Sequence, residues 1–147
     1  MDSEKRMADL ISVTSRLVDV LERENAILID RRHNDLAGLL DEKETIGRVY
    51  QARIMGLQED PEQLNGVDEA ERLKLKELAL SVDTLVVENA RMLEAAMYAS
   101  KRIVEMVAEA VRDSTNTSGT YSQRGSTQMP VGKSEVRSGA ISLDQTL

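Results

Sequence analysis

Residues 68–113 read DEAERLKLKELALSVDTLVVENARMLEAAMYASKRIVEMVAEAVRD, and their spacing decides the fold. The stretch holds neither proline nor glycine. Apolar residues fall at Leu75, Leu78, Val82, Leu85, Met92, Ala96, Ala99, Ile103, Met106 and Ala110, and Asn89 fills the missing place, so the steps alternate three and four throughout. A helix winding against a partner returns to one face about every 3.5 residues, which makes this a heptad seam. Asp68 and Glu71 have the spacing of a capping box that opens the helix. Some forty-odd residues at about 1.5 Å each give roughly 65–70 Å of helix, which cannot cover its seam by itself.

A second apolar row runs beside the first: Val86, Ala90, Leu93, Met97, Val104, Val107 and Val111. Charge in the last turns is left mainly to Glu94, Lys101, Arg102, Glu105, Glu109 and Arg112. Between Met92 and Val111 the helix is therefore apolar over a wide arc. Two readings follow. Either this half lies between two helices of its own chain, since a broad apolar face normally means core, or one row is intramolecular and the other receives a partner. Asn89 also has two readings. A buried Asn in a seam costs stability and sets register or partner number; alternatively, local drift turns it to the seam's edge.

Outward from this helix, residues 2–32 read as a first helix, with Met7, Leu10, Thr14, Leu17, Leu21 and Leu28 on one seam and Ile11 and Val18 widening it. Asp2 with Arg6 and Asp19 with Arg23 are spaced to pair across one turn, at about 0.2–0.5 kcal/mol each. Arg31-Arg32-His33-Asn34-Asp35 breaks the pattern, and Asn34 or Asp35 is placed to cap a new helix. The apolar period resumes at Leu36, Leu39, Leu40, Ile46, Val49, Tyr50, Ile54 and Leu57. The spacing leaves open whether the chain bends or folds back at the break; a fold-back leaves the Met92–Val111 half partly uncovered. Gly38, Gly47 and Gly56 weaken this second helix by about 1 kcal/mol each relative to Ala. Asp60-Pro61-Glu62-Gln63 has the form of a helix start and Asn65-Gly66 of a stop, so residues 59–67 are expected to reverse the chain with one helical turn at most.

The composition agrees. Charged residues make up 31% and hydrophobic ones 41%, aromatics only 2% with no Phe or Trp, which suits thin helical packing rather than a thick core. With no cysteine there is no thiolate ligand, disulfide or cysteine nucleophile. No apolar run reaches the ~18 residues of a membrane span, and the acidic start is unlike a signal peptide, so a cytoplasmic location without membrane insertion is expected. Residues 1–113 carry 24 acidic and 16 basic side chains, an acidic body that argues against a nucleic-acid partner. From Ser114 the periodicity stops; residues 114–147 are read as a flexible, disordered tail with apolar islands at Tyr121 and at residues 140–147.

Nothing in the pattern carries catalysis. His33 is the one histidine and has no second His or Cys to complete a metal site. Asp41-Glu42-Lys43-Glu44 reads as a solvated charged face. The carboxylates show no pocket that would separate their pKa values, and no glycine-rich loop follows a strand. A non-enzyme without cofactor or metal is expected.

Three ordered motifs resemble the flagellar export chaperones of the FlgN type. Leu39-Leu40-Asp41-Glu42-Lys43-Glu44-Thr45-Ile46, after the polar break, is similar to that family's Leu-Leu-acidic-Glu-Lys-Glu signature. Glu88-Asn89-Ala90-Arg91-Met92-Leu93 resembles the Asn-x-x-Leu-Leu element of its long last helix, and Tyr121-Ser122-Gln123-Arg124-Gly125 the tyrosine turn that follows. Order and spacing agree over most of residues 5–125; Ser122, where many relatives have Gly, and the tail beyond Gly125 depart from it. The resemblance implies a cytoplasmic type III secretion chaperone that binds the amphipathic C-terminal segments of hook-associated proteins and delivers them to the export gate and its ATPase complex. The apolar rows supply the physics: a client helix would bury its stripe on Met92, Leu93, Met97, Val104, Val107 and Val111, with Asn89, Ala96 and Ile103 in the same client-binding set, and by position the resemblance places export-gate docking on Tyr121. Flexible methionines suit a face that accepts more than one client.

The expected fold class is all-α: an elongated antiparallel helical hairpin or three-helix coiled-coil bundle over residues 1–113, with helices at about 2–32, 35–58 and 68–113. A weak homodimer is compatible with its apolar face. The alternative from a different class is a coiled-coil scaffold forming a stable homo-oligomer with no client, in which Asn89 sets the register between copies.

Overall fold

The computed structural model describes residues 2–116, and among them the chain is all-α. Helix α1 spans Ser3–Ile29, α2 Ala37–Glu59 and α3 Glu69–Asn116, joined by short 3-10 turns at His33–Asp35 and Pro61–Leu64. No described helix is long and apolar enough to cross a membrane. Within the described residues the chain divides into two units, 2–93 and 94–116, the second being the C-terminal part of α3.

In the first unit the chain folds back at the polar break. The stop is a Schellman motif: the Arg31 N–H donates to the Leu28 carbonyl at 3.2 Å and the Arg32 N–H to the Ile27 carbonyl at 3.0 Å. This places Arg31 at φ 57, a left-handed conformation that costs a side chain on the order of 1 kcal/mol. The expected Asn34 or Asp35 cap does not form. Leu36 precedes α2 without a side-chain cap, and the Asp35 carboxylate instead accepts from Arg32 at 3.0 Å. The reversal sets α1 antiparallel to α2, tied by Asp9–Arg53 at 2.6 Å near one end and Glu42–Arg23 at 2.8 Å near the other.

The second reversal uses the expected residues in a different way. Pro61–Leu64 forms one 3-10 turn, and Gly66 supplies the left-handed φ of 84. Gln63, instead of closing a capping box on Asp60, donates its side-chain amide to the Gly56 carbonyl at 3.2 Å, which also accepts from the Asp60 N–H at 3.1 Å at the end of α2. Arg72 donates to the Leu64 carbonyl at 2.8 Å. Leu64 and Val67 are thereby plugged into the core.

The core follows the seams. All six α1 seam residues, Met7, Leu10, Thr14, Leu17, Leu21 and Leu28, are buried. Met7, Leu10, Leu17 and Leu21 meet Ile46, Tyr50, Ile54 and Leu57 of α2 and Leu75, Ala79 and Val82 of α3 in one cluster. Thr14 lies in this core because its hydroxyl donates to the Leu10 carbonyl at 2.6 Å. At Gly38, Gly47 and Gly56 an added Cβ would meet nothing within 4 Å, so these glycines weaken α2 without permitting a close approach. Residues 114–116, expected in the tail, instead complete α3. The Ser114 and Thr115 hydroxyls donate to the Val111 carbonyl at 3.0 and 2.9 Å, which holds the last turn. The remainder of the tail lies outside the described residues.

Tyr50 gives the first unit a pH dependence. Its ring is buried, its hydroxyl has no hydrogen-bond partner, and burial, reinforced by the Asp83 carboxylate, pushes its pKa up to about 12. An unfolded-chain tyrosine ionises near pH 10. The unfolded state therefore loses its proton first, and the stability contributed by this group is complete below pH 10 and lost as pH rises from there through 12. Tyr50→Phe removes this slope. Relative to wild type, Tyr50→Phe should gain about 1 kcal/mol between pH 8 and pH 11, read as the difference in urea midpoints. Equal loss in both proteins would show that Tyr50 does not titrate late.

Candidate functional site: a polar layer and an uncovered helix face

Two features stand out from ordinary helical packing, one in each unit. In the first unit a buried polar layer joins all three helices. Lys43 of α2 lies with Nζ 2.8 Å from Oε2 of Glu24 on α1, an ion pair whose angle falls outside hydrogen-bond geometry. The same Nζ donates to Asn89 Oδ1 of α3 at 2.9 Å. Asn89 Nδ2 donates to Asn25 Oδ1 of α1 at 2.9 Å, and Asn25 Nδ2 reaches the Leu85 carbonyl at 3.4 Å. Glu24, Asn25 and Asn89 are buried, and the Lys43 side chain retains 27% exposure.

The seams explain the position of this layer. Each helix has one gap of seven residues between seam leucines and their successors: Leu21 to Leu28 in α1, Leu39 to Ile46 in α2, and Leu85 to Met92 in α3. Glu24 and Asn25, Lys43 and Asn89 occupy those gaps. A buried charge or amide is tolerated only when its partners are present, so the layer admits one relative register of the three helices. Asn89 is therefore committed inside the chain and is not available to a client. Lys43 corrects the reading of Asp41–Glu44 as a wholly solvated run: Asp41 and Glu44 are exposed, whereas Lys43 points into the bundle.

The second unit shows the opposite condition. Met97, Ile103, Val104, Val107 and Val111, all expected to bind a client, are each more than half exposed, as is Met106. Ala96 is half-buried. Met92 and Leu93 belong to the first unit and are half-buried there. The charged side of this segment is partly self-paired, with Arg102 Nη1 3.3 Å from Glu105 Oε2. Within the described residues the side chains of Met97, Ile103, Val104, Met106, Val107 and Val111 are therefore exposed rather than buried in a core. Tyr121 lies outside the described residues.

Among the described residues no group of three His, Cys, Asp or Glu side chains is placed to hold a metal ion. A groove on the first unit is lined by Val13, Arg16, Asp41, Glu42, Thr45, Ile46 and Val49. Comparison with family models, with curated proteins and with solved structures finds no match to this chain.

Proposed function

We propose that this protein is a cytoplasmic export chaperone of the flagellar type III system, holding hook-associated proteins by their amphipathic C-terminal segments and delivering them to the export gate. The observation that carries this reading is the row of long apolar side chains on α3, Met97, Ile103, Val104, Val107 and Val111, left exposed in a chain that buries every seam residue of α1. Contiguous exposed apolar surface of this kind marks an interaction site. A helix is the natural occupant, because residues at i, i+3, i+4 and i+7 of one helix form the groove that receives another. Lys43 and Asn89, one from each of the two helical motifs that resemble the chaperones, meet in a single hydrogen bond. Tyr121, by the same resemblance, would dock at the export gate.

Size exclusion coupled to light scattering tests this reading, on the protein alone and mixed with the C-terminal segment of a hook–filament junction protein. The expected result is a monomer or weakly associating dimer that shifts to a defined stoichiometric complex. A stable homo-oligomer that ignores the segment would instead support a scaffold.

A further inference from the structure

The two halves of α3 are held helical by different forces. In the first unit Leu75, Ala79, Val82 and Asn89 are buried, so that stretch is fixed by its place in the bundle. From Glu94 to Asn116, all within the described residues, no residue is buried; Ala96, Glu105 and Ala108 are half-buried and the rest are exposed. The helix there rests on local preferences, and these nearly cancel. Ala95, Ala96, Ala99 and Ala110 favour it, whereas Ile103, Val104, Val107 and Val111 lose side-chain freedom in it. The Arg102–Glu105 pair is solvated and weak. The last turn carries no basic residue, and Asp113 stands at the negative end of the helix dipole. Such a segment would not start a helix alone, because the first turn fixes several residues for one hydrogen bond. Here the first half of α3 supplies that turn.

We infer that residues 94–116 form a one-ended zipper: they wind onto the fixed part of α3 and unwind from Asn116 back towards the polar layer without opening the first unit. Asn89, the last buried residue of α3, marks the fixed end, bonded to Asn25 and Lys43 of the other two helices. Each further residue is added with a propagation factor of about 1–1.6. The wound population therefore declines by small steps along the segment, with no cooperative edge. Met97, Ile103, Val104, Val107 and Val111 are aligned in a row only in the wound state. Winding controls how much of the protein presents that row, and the wound fraction scales the apparent affinity for anything that reads it. The zipper needs no client and is independent of the export-chaperone reading.

Residue-resolved hydrogen exchange on the full chain is the test. Amides from Ala79 to Asn89 should be protected about 10³-fold or more. Protection should fall to on the order of 100-fold or less at Met97 and decline steadily to almost none at Asn116. Two substitutions move this gradient in opposite directions. Tyr98 is exposed and lies between Glu105 and Glu109 on the charged side of the helix, so Tyr98→Gly compared with Tyr98→Ala isolates backbone propensity. The glycine should lower protection beyond residue 98 about fivefold. Asp113→Lys should raise protection in the last turns about twofold or more. Neither should shift the urea midpoint of the first unit. Protection over 94–116 equal to that of Ala79–Asn89 would overturn the inference, because α3 would then open as one unit. No protection even at Met97 would overturn it too, since a segment held at Asn89 must protect its first turns. A gradient indifferent to both substitutions would likewise sink it.

Discussion

Replacing Lys43 by Met should lower the stability of the first unit by about 3 kcal/mol, although the new side chain is apolar and close in length. The loss does not come from Lys43's own packing. It comes from what the ammonium leaves behind: a Glu24 carboxylate that is almost fully buried, with its cation 2.8 Å away removed, and an Asn89 carbonyl oxygen without its donor. Removing one member of a buried ion pair typically costs about 3–5 kcal/mol. The lower end applies because Lys43 retains some exposure and water can reach the vacated place. Glu24→Leu alone should cost less, since the Lys43 side chain can swing its charge to solvent. Glu24→Leu/Lys43→Met together should recover about 2 kcal/mol of the summed single losses, the coupling expected of residues in one network. Urea unfolding of the four proteins closes this cycle. Additive losses would show that the layer is not a coupled unit and that its polar residues are individually solvated. The same geometry limits Asn89→Leu to a cost in stability. Its partners, Asn25 and Lys43, lie in its own chain, so the substitution should not change the oligomeric state.

Val104→Glu/Val107→Glu should leave folding stability within about 0.5 kcal/mol of wild type and weaken client binding at least 100-fold. Both valines are more than half exposed, so neither contributes appreciably to the folded chain's core. In a complex both would be buried. Each valine then contributes about 1.5 kcal/mol or more of apolar transfer, and each introduced carboxylate adds a desolvation cost. Together these exceed the roughly 2.8 kcal/mol that separates two decades of affinity. Leu75→Ala provides the contrast. Leu75 has no exposed surface and should cost about 3 kcal/mol in stability, with no direct effect on the exposed face. Unfolding midpoints and calorimetric titration with the C-terminal segment separate the two classes. If Val104→Glu/Val107→Glu destabilises the chain as much as Leu75→Ala does, the valines are core residues and the proposed face is wrong.

The seams were legible because burial on a helix repeats at a period that no neighbouring element needs to supply. The α1 seam and the buried part of the α2 pattern lie where the spacing puts them; in early α3 Leu75 and Val82 do, whereas Leu78 and Leu85 are half-buried and Ala79, on neither expected row, is buried. The polar layer was half legible. Asn89 draws attention as the one polar residue interrupting a strict heptad, whereas Glu24, Asn25 and Lys43 resemble ordinary surface residues. Their common signal is the seven-residue gap between Leu21 and Leu28 and between Leu39 and Ile46, which is informative only when the gaps of three helices are compared. Local propensity also misassigned small contacts. Asp35 has the chemistry of a cap but pairs with Arg32, and Gln63 donates to the Gly56 carbonyl rather than closing on the backbone of Asp60.

By itself, then, the amino-acid order determined that the chain is helical, which faces of α1, α2 and early α3 are apolar, and that the second half of α3 is apolar over a wide arc. These follow from periodicity, a property of each segment alone. Only the tertiary structure decided that α1 folds back against α2, because the left-handed Arg31 and its Schellman bonds depend on geometry that a polar break does not encode. The same structure decided that Lys43, Glu24 and Asn89 face one another and that the apolar side chains of residues 97–111 stay exposed. Burial is a relation between elements, and an apolar row reads the same in sequence whether its cover comes from the same chain or from another.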